Sequence, residues 1–389
     1  MTSERTGRLL VPPFTEEHET LRDSIRAFVQ REIRPHVHEW EAAEEFPREL
    51  FTRMGELGFL GLKYPERYGG QGGDYLHDAV LTEEMGRCGS GGVSAGIGGH
   101  IGIATPPIFK FGTEEQKQRW LVPAIRGERI AALAITEPGT GSDVAGIKTF
   151  ARRDNGDYVV NGSKTFITNG VRGDLYVTAV KTKQEGGHQG LSFFVIEKGM
   201  DGFTVSRKLE KLGWHASDTG ELSFQDVRVP AENLLGEENQ GFYQIMANFQ
   251  WERLLMALGA VAGMQATFDR TLEYARERTA FGRPIGRFQA IRHKLAEMAT
   301  LIEGSRDFTY HALRLFISGQ DCLKEVTIAK LYACDCAVEV ADEAVQIHGG
   351  YGYMREYDVE RALRDSRLGP IGGGTREIMK EILGKQLGL

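Results

Sequence analysis

The spacing of apolar residues changes twice along the chain, and this change limits the folds that the sequence can adopt. From residue 16 to residue 61, apolar side chains recur every three or four positions, which predicts amphipathic helices. Between about Ile130 and Pro230 they alternate with polar residues in short runs, separated by glycine and aspartate turns, which predicts strands. From Gly241 onward the helical spacing returns in long stretches. The sequence therefore predicts an α+β protein in which helices flank a central β region.

A chain of 389 residues is too long for one ordinary core, so the three regions are interpreted as domains. The predicted boundaries place an N-terminal α-helical domain at 1–129, a middle β domain at 130–235 and a C-terminal helical bundle at 236–389. Within the β domain, Asn161-Gly162 lies between two β-rich runs, and this dipeptide predicts a hairpin turn there.

The composition argues against several classes of function. The net charge of −7 disfavours a nucleic-acid partner, and no run of 18 apolar residues predicts a membrane span. The opening MTSERTGRLLVPPFTEEHE mixes both charges without an apolar segment, and its early glutamates, such as Glu4, speak against a targeting peptide. The 4 cysteines lack C-x-x-C spacing and are typical of reduced thiols. We expect a cytoplasmic protein.

Two glycine-rich segments predict places where backbone approaches another group closely. Residues 89–112 are full of small residues but fit no strict phosphate-loop pattern, so close helix packing is the favoured interpretation. The second segment, Gly372–Gly374 in RLGPIGGGTREIMKEILGK, is here called the glycine strip. It lacks side chains just before a helical stretch, whose N–H groups could face an anion or an electron-rich ring edge.

Four further stretches carry candidate functional residues: LAITEPGTGSDVAG (133–146), FITNG (166–170), RERTAFGRPIGRFQAI (276–291) and VQIHGGYGYMREY (345–357). Taken singly, each is typical of a polar turn or of a solvated helix end. His348 in the last stretch has no second ligand at helical spacing, so no metal site is predicted.

Together with GGGTRE, these stretches resemble the acyl-CoA dehydrogenase family over essentially the whole chain, in order and in spacing. GEENQGFYQIM, ERLLMA, HGGYGYMREY and GGTREIMKEI are most similar to the long-chain acyl-CoA dehydrogenases, with the isovaleryl-CoA dehydrogenases next. The resemblance implies an N-terminal helical domain, a middle β-barrel-like domain and a C-terminal four-helix bundle. It also implies FAD as cofactor, an acyl-CoA substrate, an electron-transfer flavoprotein as acceptor and a homo-oligomer, usually a tetramer.

The resemblance assigns FAD contacts to residues in several stretches. Thr168 is expected near flavin N5, the atom that accepts hydride, and Gly374, Thr375 and Glu377 near the adenosine side. The residues expected to reach the FAD of a neighbouring subunit are Arg278, Phe281, Gln289, Gln346, Gly349 and Gly350. The other predicted FAD-binding residues are Leu133, Ile135, Thr136, Gly141, Ser142, Phe166, Ile167, Phe288 and Ile347.

The resemblance also divides the acid–base chemistry between two positions. Gly373 stands where many relatives carry their catalytic glutamate, so this position keeps only its N–H, which is expected to bind the thioester carbonyl. Glu252 stands where the long-chain and isovaleryl enzymes carry theirs, among apolar neighbours that would raise its pKa. Residues matching other substrate contacts are Ser142, Tyr243, Gln250, in place of a common aspartate, and Arg253.

The predicted reaction is FAD-dependent α,β-dehydrogenation of an acyl-CoA thioester to a trans-2-enoyl-CoA, with Glu252 removing the α-proton. A medium or long straight acyl chain is favoured. A branched isovaleryl-type chain, a dicarboxylyl chain and the reverse enoyl-CoA reduction stay open. Flavin monooxygenases and acyl-CoA oxidases share the fold, but the monooxygenases need no α-proton base. The small residues of Gly91–Gly99 fit either space for an acyl tail or tight packing.

Overall fold

The computed structural model describes residues 13–185 and 187–389, so the amino-terminal residues through 12, part of the targeting argument, lie outside it. The N-terminal region is helical, and π-helical turns such as Gly99–Ala104 join some of its helices. Its α-helices are α1 (Glu16–Phe28), α2 (Val37–Ala43), α3 (Glu49–Glu56), α4 (Tyr75–Gly86), α5 (Gly91–Gly98), α6 (Thr105–Phe111), α7 (Glu114–Gln116) and α8 (Val122–Ile125).

The middle region is one sheet, hydrogen-bonded in the order β6-β7-β3-β2-β4-β5-β8, with β1 parallel to β4. Its strands are β1 (Ala131–Ala134), β2 (Phe150–Asp154), β3 (Asp157–Thr168), β4 (Leu175–Lys181), β5 (Leu191–Glu197), β6 (Phe203–Lys208), β7 (Thr219–Val229) and β8 (Leu234–Leu235). β4 and β5 are buried along nearly their whole length, because helices and other strands cover both faces.

The predicted hairpin at Asn161-Gly162 is wrong. β3 runs without a break from Asp157 to Thr168 and pairs with β7 throughout. Asn161-Gly162 forms a bulge in that pairing, where the Asn161 side chain bonds to Asp226 on β7. The hairpin between β2 and β3 turns instead at Asn155-Gly156, where both residues have positive φ, as such a turn requires.

The C-terminal region contains three long helices that pack on one another, and two shorter ones follow them. These are α9 (Gly241–Glu277), α10 (Gln289–Ile317), α11 (Leu323–His348), α12 (Asp358–Ser366) and α13 (Arg376–Gln386). The predicted basic, aromatic segment between α9 and α10 forms a small hairpin of β9 (Thr279–Ala280) and β10 (Arg283–Pro284). Among the described residues, no helix combines the length and apolarity that a bilayer crossing requires.

The glycines of 89–112 bring the first region against the other two. A Cβ on Gly92 would lie 2.8 Å from the Ala216 nitrogen, and one on Gly102 would lie 2.4 Å from Leu255 Cδ1 on α9. These positions cannot hold a larger residue without movement of their neighbours, so close packing is the correct interpretation for them. Gly98 differs, because a Cβ there would meet nothing within 4 Å.

Candidate active site

The glycine strip lies directly beside Glu252 of α9. A Cβ placed on Gly373 would be 3.6 Å from Glu252 Oε1 and 2.5 Å from Met256 Sδ, one helical turn further along α9. Gly373 has φ +60, a conformation that favours glycine. Within the described ranges its N–H has no hydrogen-bond partner, so this donor is free for a ligand. A carboxylate on α9 therefore reaches the space where a side chain at position 373 would begin.

The Glu252 carboxylate has few polar neighbours. The residue as a whole is only half-buried, yet its Oε2 is inaccessible to solvent and has no hydrogen-bond partner among the described residues. Burial raises the pKa of Glu252 to about 7, against the opposing charges of Arg253 and Lys330. Such a carboxyl group can take up or release a proton near neutral pH, which suits a general base.

Two buried cations flank this carboxylate. The guanidinium of Arg253 is buried and makes no hydrogen bond or ion pair with any described residue, although it lies 5.7 Å from the centre of the Phe249 ring. Lys330 of α11 is also buried, and its Nζ donates a hydrogen bond to the Gly374 carbonyl. The site thus carries an excess of positive charge beside one carboxylate, which favours a substrate that develops negative charge.

The turn Gly99–Ala104 connects this site to the end of strand β3. A Cβ on Gly99 would lie 3.2 Å from Thr168 Cγ2, while Gly102, one turn later, contacts Leu255 on α9. Thr168 and Leu255, three positions after Glu252, therefore border the same turn from the sheet and from the helix. This arrangement brings the residue predicted near flavin N5 toward the predicted base.

A buried ion pair holds the loop after β1 against β3. Lys164 Nζ donates to the Ile135 carbonyl and to Glu137 Oε1, both at 2.8 Å, and Thr165 N–H donates to the Thr136 carbonyl. Glu137 also accepts the N–H groups of Lys148 and Thr149. These bonds position the predicted FAD-binding residues Leu133, Ile135, Thr136, Gly141 and Ser142, of which the last two are exposed.

Two aromatic residues are highly exposed and have a left-handed backbone conformation. Contact with a flat, ring-bearing cofactor would explain both properties. Phe166 is 68% exposed with φ 60, and Phe281 is 94% exposed with φ 49. A left-handed backbone is costly for a bulky residue and collects at functional sites. Ile167, next to Phe166, is buried and anchors the strand end. Gly141 adds open backbone, since a Cβ there would meet nothing within 4 Å. The residues present fit FAD.

A second candidate region lies at the far end of α9. A groove of about 410 Å³ is lined there by Arg278, Ile347, Gly349, Gly350 and the aromatic side chains near them. Arg278 stacks 5.3 Å from the Tyr351 ring centre, and Phe281 packs edge-on against Phe288. Gln289 and Gln346 are exposed at the ends of α10 and α11. The predicted neighbour-subunit residues thus share one surface.

Along α9, Tyr274 in this groove lies 22 positions after Glu252, or roughly 33 Å of helix, and Arg278 follows the end of the helix. One chain therefore presents the two predicted parts of the FAD site at distant places.

Other predicted residues fall at the edges of these regions. Tyr243 is 54% exposed on α9, two turns before Glu252, and Thr375 caps α13 while Glu377 is exposed in its first turn. Gln250 lies about 160° away from Glu252 around the helix, roughly on the side of Tyr243, and contacts Cys322 Sγ at 3.8 Å. The structure does not bring Gln250 to the glycine strip.

Sequence reasoning missed Lys330 and the Lys164–Glu137 pair, and it identified Met256 only as one of the apolar neighbours of Glu252. Lys330 had a usable signal, since it stands between small buried residues, Ala329 and Ala333, on the apolar face of α11. A lysine at such a position needs a partner. The partner of Lys330, a backbone carbonyl 44 positions later, leaves no sequence pattern.

A possible metal-ligand cluster, His18, Asp74 and His77, lies apart from these regions in the first domain, with its ligand atoms within 4.8 Å of one another. His18 Nδ1 and His77 Nδ1 face the backbone N–H groups of Thr15 and Asp74, whose helices they help to cap. His77 Nδ1 also lies 2.8 Å from Asp74 Oδ1, so helix capping explains why these side chains lie together.

Three family models match consecutive parts of the chain. They are the acyl-CoA dehydrogenase N-terminal domain over residues 15–128, the middle domain over 132–227 and the C-terminal domain over 239–388. The mitochondrial long-chain specific acyl-CoA dehydrogenase of Mus musculus is 43% identical over 96% of this chain and 87% of its own. The mitochondrial isovaleryl-CoA dehydrogenase of Oryza sativa subsp. japonica is 41% identical over 96% and 92%.

Solved structures agree with these matches. An acyl-CoA dehydrogenase from Geobacillus kaustophilus superimposes with a TM-score of 0.94 at 46% identity, covering 97% of this chain and 100% of that one. An acyl-CoA dehydrogenase from Bacillus anthracis complexed with FAD gives a TM-score of 0.91 at 34% identity, over 96% and 68%.

The helix–sheet–helix fold, with its exposed aromatic residues and enclosed carboxylate, defines a flavin-dependent oxidoreductase. The chain belongs to the acyl-CoA dehydrogenase family, whose members depend on FAD and bind acyl-CoA. The fold expected from the sequence is confirmed.

Proposed function

We propose that this enzyme dehydrogenates the Cα–Cβ bond of an acyl-CoA thioester, giving a trans-2-enoyl-CoA, with Glu252 as the α-proton base. The observation that carries the proposal is the position of Glu252 Oε1, 3.6 Å from where a Cβ on Gly373 would lie. Glycine at 373 leaves that loop without a carboxylate, and α9 supplies one to the same space. The raised pKa of Glu252, about 7, matches the task of a base at neutral pH.

The chain's own residues have separate tasks in this reaction. The Gly373 N–H donates to the thioester carbonyl oxygen and stabilises the negative charge that develops there as the α-proton leaves. Glu252 accepts that proton in a site enclosed by α9 and the glycine strip, which keeps water away from the reacting carbon. When bound, FAD supplies the acceptor for the β-hydrogen and its electron pair. Arg253 contributes positive charge beside the developing anion.

Glu252→Gln tests the base directly. The amide keeps the shape but cannot accept a proton, so flavin bleaching by a saturated straight-chain acyl-CoA should slow by at least about 10²-fold in stopped flow. FAD content should not change. In the wild type the bleaching rate should rise with pH through about 7, as Glu252 loses its proton, and the variant should lose this dependence.

Glu273→Gln is the matched control, since Glu273 is an exposed glutamate on the same helix and should leave the rate unchanged. A wild-type bleaching rate in Glu252→Gln would place the base elsewhere.

The acyl group is proposed to be a medium or long straight chain. The likeness to the mouse long-chain enzyme supports this choice, while the likeness to the rice isovaleryl enzyme supports a branched short chain as second candidate. Dicarboxylyl chains and the reverse reaction complete the alternatives. Rates with straight, branched and dicarboxylic acyl-CoAs separate them, and a peroxide assay separates a dehydrogenase from an oxidase.

We further propose a homotetramer in which copies share FAD. The support is the roughly 33 Å of helix between Glu252 and Tyr274 in the Arg278 groove, because both sets of predicted residues then serve FAD only if they belong to different copies. The proposed electron acceptor is an electron-transfer flavoprotein, and the cytoplasmic location stays a prediction. Mass measurement in solution tests the assembly.

A further inference from the structure

Lys330 is a buried ammonium with an unusual partner. Its residue is 1% exposed, and among the described residues its Nζ donates one hydrogen bond, 2.5 Å long, to the carbonyl of Gly374 in the glycine strip. Burying a lysine is costly unless it is paired, and one carbonyl is a weak partner for a full charge. A purely structural role would be served at lower cost by a neutral donor.

The position of Lys330 explains that cost. It faces the site from α11, opposite α9, and its charge acts on Glu252. The other titratable groups around the pair are Arg253 on α9 and, on the lysine's own helix, Asp335 and the thiol of Cys334, whose pKa burial raises to about 11. Lys330 therefore touches the strip that carries the Gly373 N–H and also opposes the charge of Glu252.

We propose that Lys330 is a positioning residue that fixes the glycine strip beside Glu252 and whose positive charge opposes the negative charge of the Glu252 carboxylate. The inference rests on the proposed function for its catalytic meaning. The geometry that carries it is the Lys330–Gly374 hydrogen bond, next to Gly373, whose Cβ position lies 3.6 Å from Glu252 Oε1. Burial alone would drive Glu252 further toward its protonated form, in which it could not act as a base. The cation offsets part of that effect without forming a direct ion pair that would occupy the carboxylate.

A second anchor on the same helix separates the two roles of Lys330. Asp335, about one turn further along α11, accepts a bidentate hydrogen bond from Arg376, just beyond the strip. Removing Asp335 loosens the strip and leaves the Lys330 ammonium in place. Lys211 offers a different control, since it is a partly buried lysine that donates to the Ser217 carbonyl far from Glu252 in sequence and fold.

The test is an infrared titration of the Glu252 carboxyl group in the FAD-loaded protein, with its C=O band assigned by its loss in Glu252→Gln. Lys330→Met removes the charge and should move the titration midpoint upward by about 1 pH unit, the usual effect of one nearby opposite charge. Lys330→Arg keeps the charge and should stay near wild type. Lys211→Met should leave the midpoint unmoved, and Asp335→Ala, which removes an anion rather than the cation, should not move it upward.

Stopped-flow bleaching gives the second readout. In Lys330→Met the rise of the rate with pH should move to higher pH by the same amount, so the loss should be largest below pH 7 and smallest above pH 9. An unmoved midpoint in Lys330→Met, or an equal shift in Lys330→Arg, overturns the proposal. If Lys330→Met does not fold, Lys330→Gln replaces it, and failure of both to fold makes Lys330 structural and also overturns it.

The infrared result is independent of the reaction. If Glu252→Gln bleaches at the wild-type rate while Lys330→Met still shifts the carboxyl titration, the proposed base is wrong and the electrostatic link is right. If Glu252→Gln slows bleaching while Lys330→Met leaves the carboxyl titration unmoved, Glu252 is retained as the base and the role of Lys330 is rejected.

Discussion

Glu137 in the β domain and Glu252 on α9 are both enclosed glutamates with a lysine nearby, yet their surroundings differ. Glu137 accepts hydrogen bonds from Lys164 and from two backbone N–H groups, and these partners lower its pKa despite burial. Glu252 Oε2 has no hydrogen-bond partner among the described residues, and burial raises its pKa to about 7. One carboxylate is satisfied, whereas the other is free to react.

This difference separates a structural acid from a chemical one. A carboxylate with several hydrogen-bond donors holds its neighbours in place, as Glu137 holds the loop after β1, and the bonds that stabilise its charged form make it a poor acceptor for a proton from a substrate. A carboxylate left without partners costs stability and gains reactivity, which is a frequent property of active sites. Partner count, rather than burial, thus distinguishes the two sites.

The largest expected effect is at Glu137, the carboxylate that has hydrogen-bond partners. Lys164→Met leaves Glu137 buried without its cation, which should lower the free energy of unfolding by about 3–5 kcal/mol in denaturant titrations. FAD retention should fall as well, because Lys164 also holds the Ile135 carbonyl. Lys385→Met, in the exposed pair with Glu381, is the control and should cost at most about 1 kcal/mol. Wild-type stability in Lys164→Met would mean that Glu137 needs no cation.

The sequence predicts the layers of this fold because they depend on local periodicity. The length of α9 and the strands around β4 follow from the spacing of apolar residues, which each segment carries by itself. Asn161-Gly162 shows the limit, since two Asn-Gly dipeptides compete for one hairpin and long-range pairing with β7 decides the outcome.

In the candidate site, too, the features that depend on long-range packing could not be predicted from local sequence. Gly373 and Glu252 could be paired from the sequence only through the family resemblance, whereas their contact depends on the packing of α9 against a loop more than 100 residues away. Lys330 was missed for this reason. Gln250 was predicted with its neighbours, but its direction on the helix turns it toward Cys322.

A smaller effect is expected at Glu252, the carboxylate without a hydrogen-bond partner among the described residues. The folded-state pKa of Glu252 lies above the ordinary value of 4.5, so the native state binds more protons, and this group's contribution to stability falls as pH rises from about 4.5 to 7. Glu252→Gln removes that cost. Above pH 7 the variant should be more stable than wild type by about 3 kcal/mol, and below pH 4.5 the gain should vanish. Denaturant titrations at both pH values measure this, and an equal difference at each would contradict it.

The smallest effect tests whether a carboxylate can return to the loop. Gly373→Glu in the Glu252→Gln background places an acid where many relatives hold theirs, but the φ of +60 strains any side chain, and Met256 Sδ would be 2.5 Å from the new Cβ. Adding Met256→Ala makes room for it. The triple variant should bleach its flavin about fivefold faster than Glu252→Gln, roughly 1 kcal/mol of barrier, because a misplaced base recovers little. Glu252→Gln with Met256→Ala alone is the control. If the bleaching rate of the control rises as much, the new carboxylate is not acting as the base. The loop then cannot take over the role that Glu252 of α9 has in the wild type.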